Sequence, residues 1–296
     1  MRLAGMLVCF SPAQGIKKLS LPQSFFNFLS EDSENPDVRV EVQPEIPGSY
    51  VEKDLSMVSC VSSSSVLLPQ SMNPPDYLWK VFKKRNGYIL KTWSYAQDSF
   101  LPCTIEFNPG STLFKLSIAK ADKDYPLLAY PAGGLFIYLL SGLQTSFLIH
   151  GSAVEWEGHA YVFPGRSGKG KSTMAQIWEE KGARVIHDDR LMLVRKEDEW
   201  YVYSTPVNEH DHYNFAPVKE TYLIDHGKEN IALPLKGLEA YTSIMEHCIQ
   251  HQYDKKMIDA LLDALELFSG EIPIYTLQFR KGSEIVDYIL SRTYST

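Results

Sequence analysis

Val162-Phe-Pro-Gly165-Arg166-Ser167-Gly168-Lys169-Gly170-Lys171-Ser172-Thr173 decides how the second half of this chain is read. Gly165, Gly170, Lys171 and Ser172 satisfy the phosphate-loop pattern G-x-x-x-x-G-K-[ST] at each fixed position. The spacing has a mechanism. Glycines let successive backbone N–H groups turn inward around a polyphosphate, the lysine reaches the outer phosphates, and the hydroxyl ligates magnesium. A helix starting there adds its N-terminal partial positive charge. Residues 165–173 are therefore assigned to nucleotide binding, with ATP and Mg2+ as cofactors and Ser172 as a metal ligand.

The flanks suit the motif. His159-Ala-Tyr-Val-Phe163 is strand-like, and residues 172–181 are helix-like, with Gly182 placed to stop the helix. Ser146 to Val154 predicts a strand that turns at Glu157-Gly158 into the loop strand. Residues 183–186 predict the next strand, ending at Asp188-Asp189, 16 residues after Ser172 (188 − 172). Carboxylates at a strand end beside a phosphate loop are what phosphoryl transfer needs, one for magnesium and one for the acceptor's proton. His150, 21 residues before Lys171 (171 − 150), is expected beside the loop strand. Further on, strands are expected at 191–194, 200–203 and 274–279, and helices at 238–250, 255–268 and 282–292.

The first half has fewer landmarks. Strands are expected at the N-terminus and at 38–42, 56–61, 87–94 and 111–118, forming an antiparallel module, with a polar, proline-bearing stretch over 31–48, loops at 62–65 and 69–75 and a helix at 127–145. The fold class is thus α/β with a mixed sheet of the α+β kind. Residues 1–125 make a strand-rich module of open role, and residues 126–296 an ATP-binding domain.

Composition excludes other classes. The 296 residues are 44% hydrophobic and 22% charged, as in globular domains, and the net charge of -7 argues against a nucleic-acid partner. No run approaches the roughly 20 apolar residues of a membrane span. The N-terminal run is too short for a signal peptide, since Ser11-Pro12 interrupts it. Cys9, Cys60, Cys103 and Cys248 are scattered, with neither a disulfide framework nor a zinc pattern, so a reducing cytoplasm is expected.

Taken together, His150-Gly-Ser-Ala-Val154, Glu157-Gly158, the loop from Phe163 to Thr173 and Gly182-Ala-Arg-Val-Ile-His-Asp-Asp189 resemble the HPr serine kinase/phosphorylase family and its relatives. Those proteins share a phosphoenolpyruvate-carboxykinase-like P-loop fold. The stretches Ser204-Thr-Pro206 and 231–241 are similar to HPr-kinase-related proteins, some associated with modified-peptide biosynthesis. The resemblance implies that Lys171 binds the β- and γ-phosphates and that His150, Asp188 and Asp189 are catalytic. Asp188 is the first choice for the base and Asp189 for the metal contact. It also implies a homo-oligomer. Arg166 and Arg190 are read either as neutralising phosphate or as pairing with acidic residues.

Where the family carries a second glycine-rich signature, this chain has Tyr203-Ser-Thr-Pro-Val-Asn-Glu-His-Asp-His212, which does not suggest HPr as acceptor. His210 and His212 would share a face if that stretch were a strand; a polar surface loop is the preferred reading. The leading expectation is an ATP-dependent kinase acting on a hydroxyl, most simply serine of a peptide or protein, including a modified-peptide precursor. Free serine is a further acceptor class. A nucleotide-responsive binding module that transfers nothing is the alternative; a carboxykinase-like enzyme and a motor or switch ATPase rank lower.

Overall fold

The structure is a computed structural model that describes all residues except 15, 17, 33, 45–54, 67, 69–71, 119–125, 167, 250–252 and 294–296. Ser167, part of the loop at 69–75 and the last residue of the first expected module lie outside the described set. The chain divides into two compact units: Met1–Leu143 with Asn208–His210 and His251–Ile258, and Gln144–Val207 with Asp211–Gln250 and Asp259–Thr296.

In the first unit the described strands are β1 (Arg2–Leu3), β2 (Met6–Pro12), β3 (Val38–Pro44), β4 (Ser56–Ser62), β5 (Tyr77–Lys84), β6 (Gly87–Ala96), β7 (Ser99–Phe107) and β8 (Leu113–Ile118). They form one sheet in the order β1-β2-β3-β8-β7-β6-β5-β4. The expected antiparallel module is therefore a mixed sheet, because β3 runs parallel to both β2 and β8. The reason is connectivity: hairpins join only sequence neighbours, and β3 is joined to neither partner by a tight turn. From β4 to β8 the ladder is antiparallel, and Gln97 and Asp98 take positive φ values of 49° and 54° at the β6–β7 turn. Helix α1 is Ala132–Ser141, shorter than the 127–145 expected. Its N-terminal side is claimed by strand-like pairing, since Ser94 bridges Pro131 and Leu127 N–H donates to Ser20 O.

The second unit carries the glycine-rich loop between Pro164 and Lys171. Its strands are β9 (Ser146–Trp156), β10 (His159–Pro164), β11 (Arg184–Lys196), β12 (Glu199–Ser204), β13 (Phe215–His226), β14 (Ile231–Leu235) and β15 (Ile274–Phe279), in the order β10-β9-β11-β12-β13-β15-β14. The loop strand β10 also pairs in parallel with β13. It therefore has β9 and β11 on one flank and β13, β15 and β14 on the other. Pro234 sits in the edge strand β14, where a missing N–H costs no ladder bond.

Helices cover both faces. Helices α2 (Lys171–Glu180) and α5 (Glu284–Thr293) pack on one side, with Trp178, Ile285 and Ile289 against Tyr161, Phe163 and Tyr222. Helices α3 (Gly237–Met245) and α4 (Lys255–Glu271) cover the other, with Ile244, Leu265 and Phe268 against Phe147, Leu193 and Trp200. Helix α2 ends as expected at Gly182. That residue has φ +100°, its N–H donates to Glu179 O at 2.8 Å, and Ala183 N–H donates to Trp178 O at 3.0 Å. This paired ending satisfies two of the helix's last carbonyls.

One element departs from the sequence reading in a way that matters for the site. The strand expected to stop at Asp188-Asp189 continues to Lys196, absorbing the separate strand expected at 191–194. The pair therefore sits inside a strand, because the ladder with β9 continues through Asp188↔Ser152, Asp189↔Gly151 and Arg190↔His150.

Trp178 is fully buried and stacks on Tyr161 with ring centroids 4.8 Å apart. Trp178→Ala should cost about 3–5 kcal/mol from lost burial and the cavity left behind. Urea unfolding monitored by circular dichroism checks this; a midpoint unchanged from the wild type would contradict the packing described.

Candidate functional site

Gly170 takes φ +93° as the N-cap of α2, and the helix begins at Lys171. A side chain there would be strained by the left-handed backbone. It would also meet the buried ring of Phe279, whose Cζ lies 2.9 Å from the position of a Cβ. Gly168 has φ +80° and leaves its carbonyl 3.2 Å from His226 Nε2. The N–H groups of the first helical turn, Lys171 to Thr173, have no partners within the helix and open toward the loop. Lys171 Nζ donates to Arg166 O at 3.2 Å, folding back over the loop.

The other two cations of the loop are held by carboxylates. Arg166 pairs with Glu246 at 3.2 Å, an acidic partner being one of the two readings of the sequence. Lys169 Nζ donates to both oxygens of Asp225 at the end of β13, at 2.8 and 2.9 Å, and holds that carboxyl below its ordinary range. Both pairs are exposed and contribute little to stability.

The acid pair reaches the loop through a β-bulge. Val185 lies opposite Val154, but His187 lies opposite Ala153, so Ile186 is the extra residue of β11. Val185 and Val154 face the α2 side, whereas Ile186 and Ala153 belong to the core under α3 and α4. Ile186 and His187 thus point to the same side, and the alternation resumes with Asp188 turned toward α2. Ser152, opposite Asp188, donates from its hydroxyl to Lys171 O at 3.0 Å.

Asp188 accepts a hydrogen bond from the Ser172 hydroxyl and lies in the field of Lys171. Burial raises its pKa above the ordinary carboxylate value, and Ser172 and Lys171 offset part of that rise. Asp189 behaves oppositely: its contact with His150 pulls its pKa down against burial, with Arg190 adding to the effect. His150 Nδ1 lies 3.5 Å from Asp189 Oδ1. The sequence did not split the two roles, with Asp188 the first choice for the base and Asp189 for the metal; in the structure Ser172 bonds Asp188 and His150 meets Asp189. The geometry brings together His150, Lys171, Ser172, Asp188 and Asp189, while Arg166 and Lys169 turn to Glu246 and Asp225.

Residue 187 was not singled out from sequence. His187 is buried, and its Nδ1 accepts the Asp189 N–H at 3.1 Å. Its Nε2 lies 3.1 Å from Asp211 Oδ2, off the line of a good hydrogen bond, and that same oxygen accepts the Val207 N–H at 2.9 Å. His187 thus ties the bulge to the 205–214 segment. That segment is irregular, so the strand geometry that would align His210 with His212 is absent and the polar-loop reading fits. Among the described residues no group of three or more His, Cys, Asp or Glu side chains gathers as a metal site. All four cysteines are free, and no helix among the described residues is long and apolar enough to cross a membrane.

No protein-family model matches the chain, and no curated protein matches it. Among solved structures it is similar to the Hpr(Ser) kinase/phosphatase from Coxiella burnetii, at 9% identity and a TM-score of 0.30, over 50% of this chain and 95% of that one. A likeness of that TM-score carries no argument about the site, whose reading rests on its own residues.

Gly170→Ala should weaken binding of a non-hydrolysable ATP analogue about tenfold, since a left-handed alanine costs roughly 1–2 kcal/mol before any clash. Isothermal titration calorimetry on a variant with wild-type circular dichroism checks it. Unchanged affinity would show that the loop does not depend on this backbone conformation.

Proposed function

We propose that the chain is an ATP-dependent phosphotransferase that moves the γ-phosphate to a hydroxyl, with serine of a peptide or protein as the acceptor. The observation that carries this reading is the Ser172–Asp188 hydrogen bond at the start of α2, with Lys171 beside it and the His150–Asp189 pair adjoining. A protein that only bound nucleotide would need the loop and not two differently tuned carboxylates. The peptide acceptor rests on the sequence resemblance to HPr-kinase-related proteins.

Ser172 Oγ and the Asp188 carboxylate are hard oxygen donors within bonding reach of one another, and this donor set fits Mg2+. When bound, the ion would supply charge neutralisation at the β- and γ-phosphates. The remaining work falls to the chain. Lys171 exchanges the Arg166 carbonyl for a phosphate oxygen. Asp189, oriented by His150, receives the proton of the acceptor hydroxyl as that oxygen bonds to the γ-phosphorus. The bond from the γ-phosphorus to the β–γ bridging oxygen breaks, and ADP leaves with that electron pair.

The test is transfer from γ-labelled ATP to serine peptides, free serine and cell extract, with Mg2+-ATP affinity measured in parallel. Lys171→Ala should lose both binding and transfer. Asp189→Asn should lower transfer by about 10²–10⁴-fold, the range for removing a general base, while keeping Mg2+-ATP affinity. Asp188→Asn should weaken the Mg2+ dependence of binding as well. Full transfer by Asp189→Asn would refute the base assignment, and tight binding with no labelled acceptor would make the protein a nucleotide-responsive module.

A further inference from the structure

Beside the loop, over β13, β15 and β14, lies an open cleft of about 600 Å³. Three strands build its floor. Leu223 lies opposite Thr276 and Asp225 opposite Gln278 across β13 and β15; Leu233 lies opposite Thr276 and Ile231 opposite Gln278 across β14 and β15. Cross-strand partners share a face, so these six side chains form one patch, apolar at Leu223, Ile231 and Leu233 and polar at the rest. Ile231 and Leu233 are 42% and 59% exposed, unusual for large aliphatic residues side by side on an edge strand. Gly165, Arg166 and Lys169 of the phosphate loop form one wall, and Glu246 and His247, just after α3, form another.

We infer that this cleft holds the base and ribose of the nucleoside triphosphate whose phosphates the loop binds. The inference rests on the reading of the loop as a triphosphate site and adds a direction to it. Lys171, Ser172 and Asp188 mark the γ-phosphate end, on the β9–β11 flank of β10. A triphosphate lying along the loop from that end must leave on the other flank, over β13, β15 and β14. The cleft opens there, with the loop itself as its wall. Its chemistry suits a nucleoside: aliphatic side chains for a flat ring to lie on, Thr276 and Gln278 for ring-edge hydrogen bonds, and carboxylates at the rim for ribose hydroxyls.

The experiment compares ATP with inorganic tripolyphosphate, both with Mg2+, by calorimetry on the whole chain. The wild type should bind ATP about tenfold or more tightly than tripolyphosphate, the difference being what the cleft contributes. Leu233→Trp, which fills the cleft from an exposed position, should remove that difference and leave tripolyphosphate affinity unchanged. Lys171→Ala should lower both affinities. Equal wild-type affinities, or a Leu233→Trp variant that binds ATP as the wild type does, would overturn the cleft assignment while the loop reading stands. A Leu233→Trp variant that binds ATP normally but no longer transfers phosphate would give the cleft to the acceptor and overturn the assignment too. Failure of the wild type to bind either ligand would remove the triphosphate reading, and the cleft assignment with it.

Discussion

The site depends on one extra residue in one strand. Ile186 breaks the two-residue alternation of β11, so everything after it faces opposite to where an unbroken strand would send it. Without the bulge, Asp188 would turn toward the α3 and α4 side and away from Ser172. His187 holds the irregularity in place: its Nδ1 takes the Asp189 N–H, which a bulged ladder would otherwise leave without a partner.

The loop is governed by a second constraint, the backbone conformation at its end. Gly170 sits in the left-handed region with Phe279 and His226 against the place of a Cβ. The same glycine therefore permits the turn and the close packing of α2 against β15. The loop is then fastened on its β13 flank, where His226 reaches the Gly168 carbonyl and Asp225 holds Lys169. On the opposite flank Ser152 bonds the Lys171 carbonyl. Both flanks are rigid strands, which keeps Lys171 and Ser172 in register with Asp188.

Much of this was legible in the sequence, for identifiable reasons. The loop, α2 and its stop at Gly182 are local features, specified by glycine positions and helical periodicity within about twenty residues. The gathering of His150, Ser172 and the acid pair followed from motif spacing. The bulge was not legible, because Arg184 to Lys196 reads as apolar residues interrupted by charge, and only the ladder with β9 shows which residue is extra. The roles expected for Asp188 and Asp189 followed from the family resemblance; inside the bulged strand the adjacent carboxylates face different partners. Strands β5, β7, β13 and β14 were not anticipated, Pro217 and Pro234 disguising the last two. The parallel pairing of β3 depends on contacts far apart in sequence, which periodicity does not carry.

On the proposed reading, a chain of net charge -7 that takes a polyanion has to solve its electrostatics locally. Arg166, Lys169 and Lys171 all lie in the loop, yet the first two are committed to Glu246 and Asp225. Those ion pairs orient the cations at the rim and leave the loop near neutral before ligand binds. Lys171 instead bonds a neutral carbonyl of the loop itself. Exchanging that carbonyl for a phosphate oxygen breaks no ion pair and strands no carboxylate, so the cost of freeing the cation is small compared with separating a charge pair. Attraction for phosphates would then be concentrated in Lys171, the α2 N-terminus and the ion that Ser172 and Asp188 are proposed to hold. On that reading all three would lie at the γ-phosphate end, so charge would draw the triphosphate toward the acid pair, while the uncharged patch at Leu223, Ile231 and Leu233 would receive the other end.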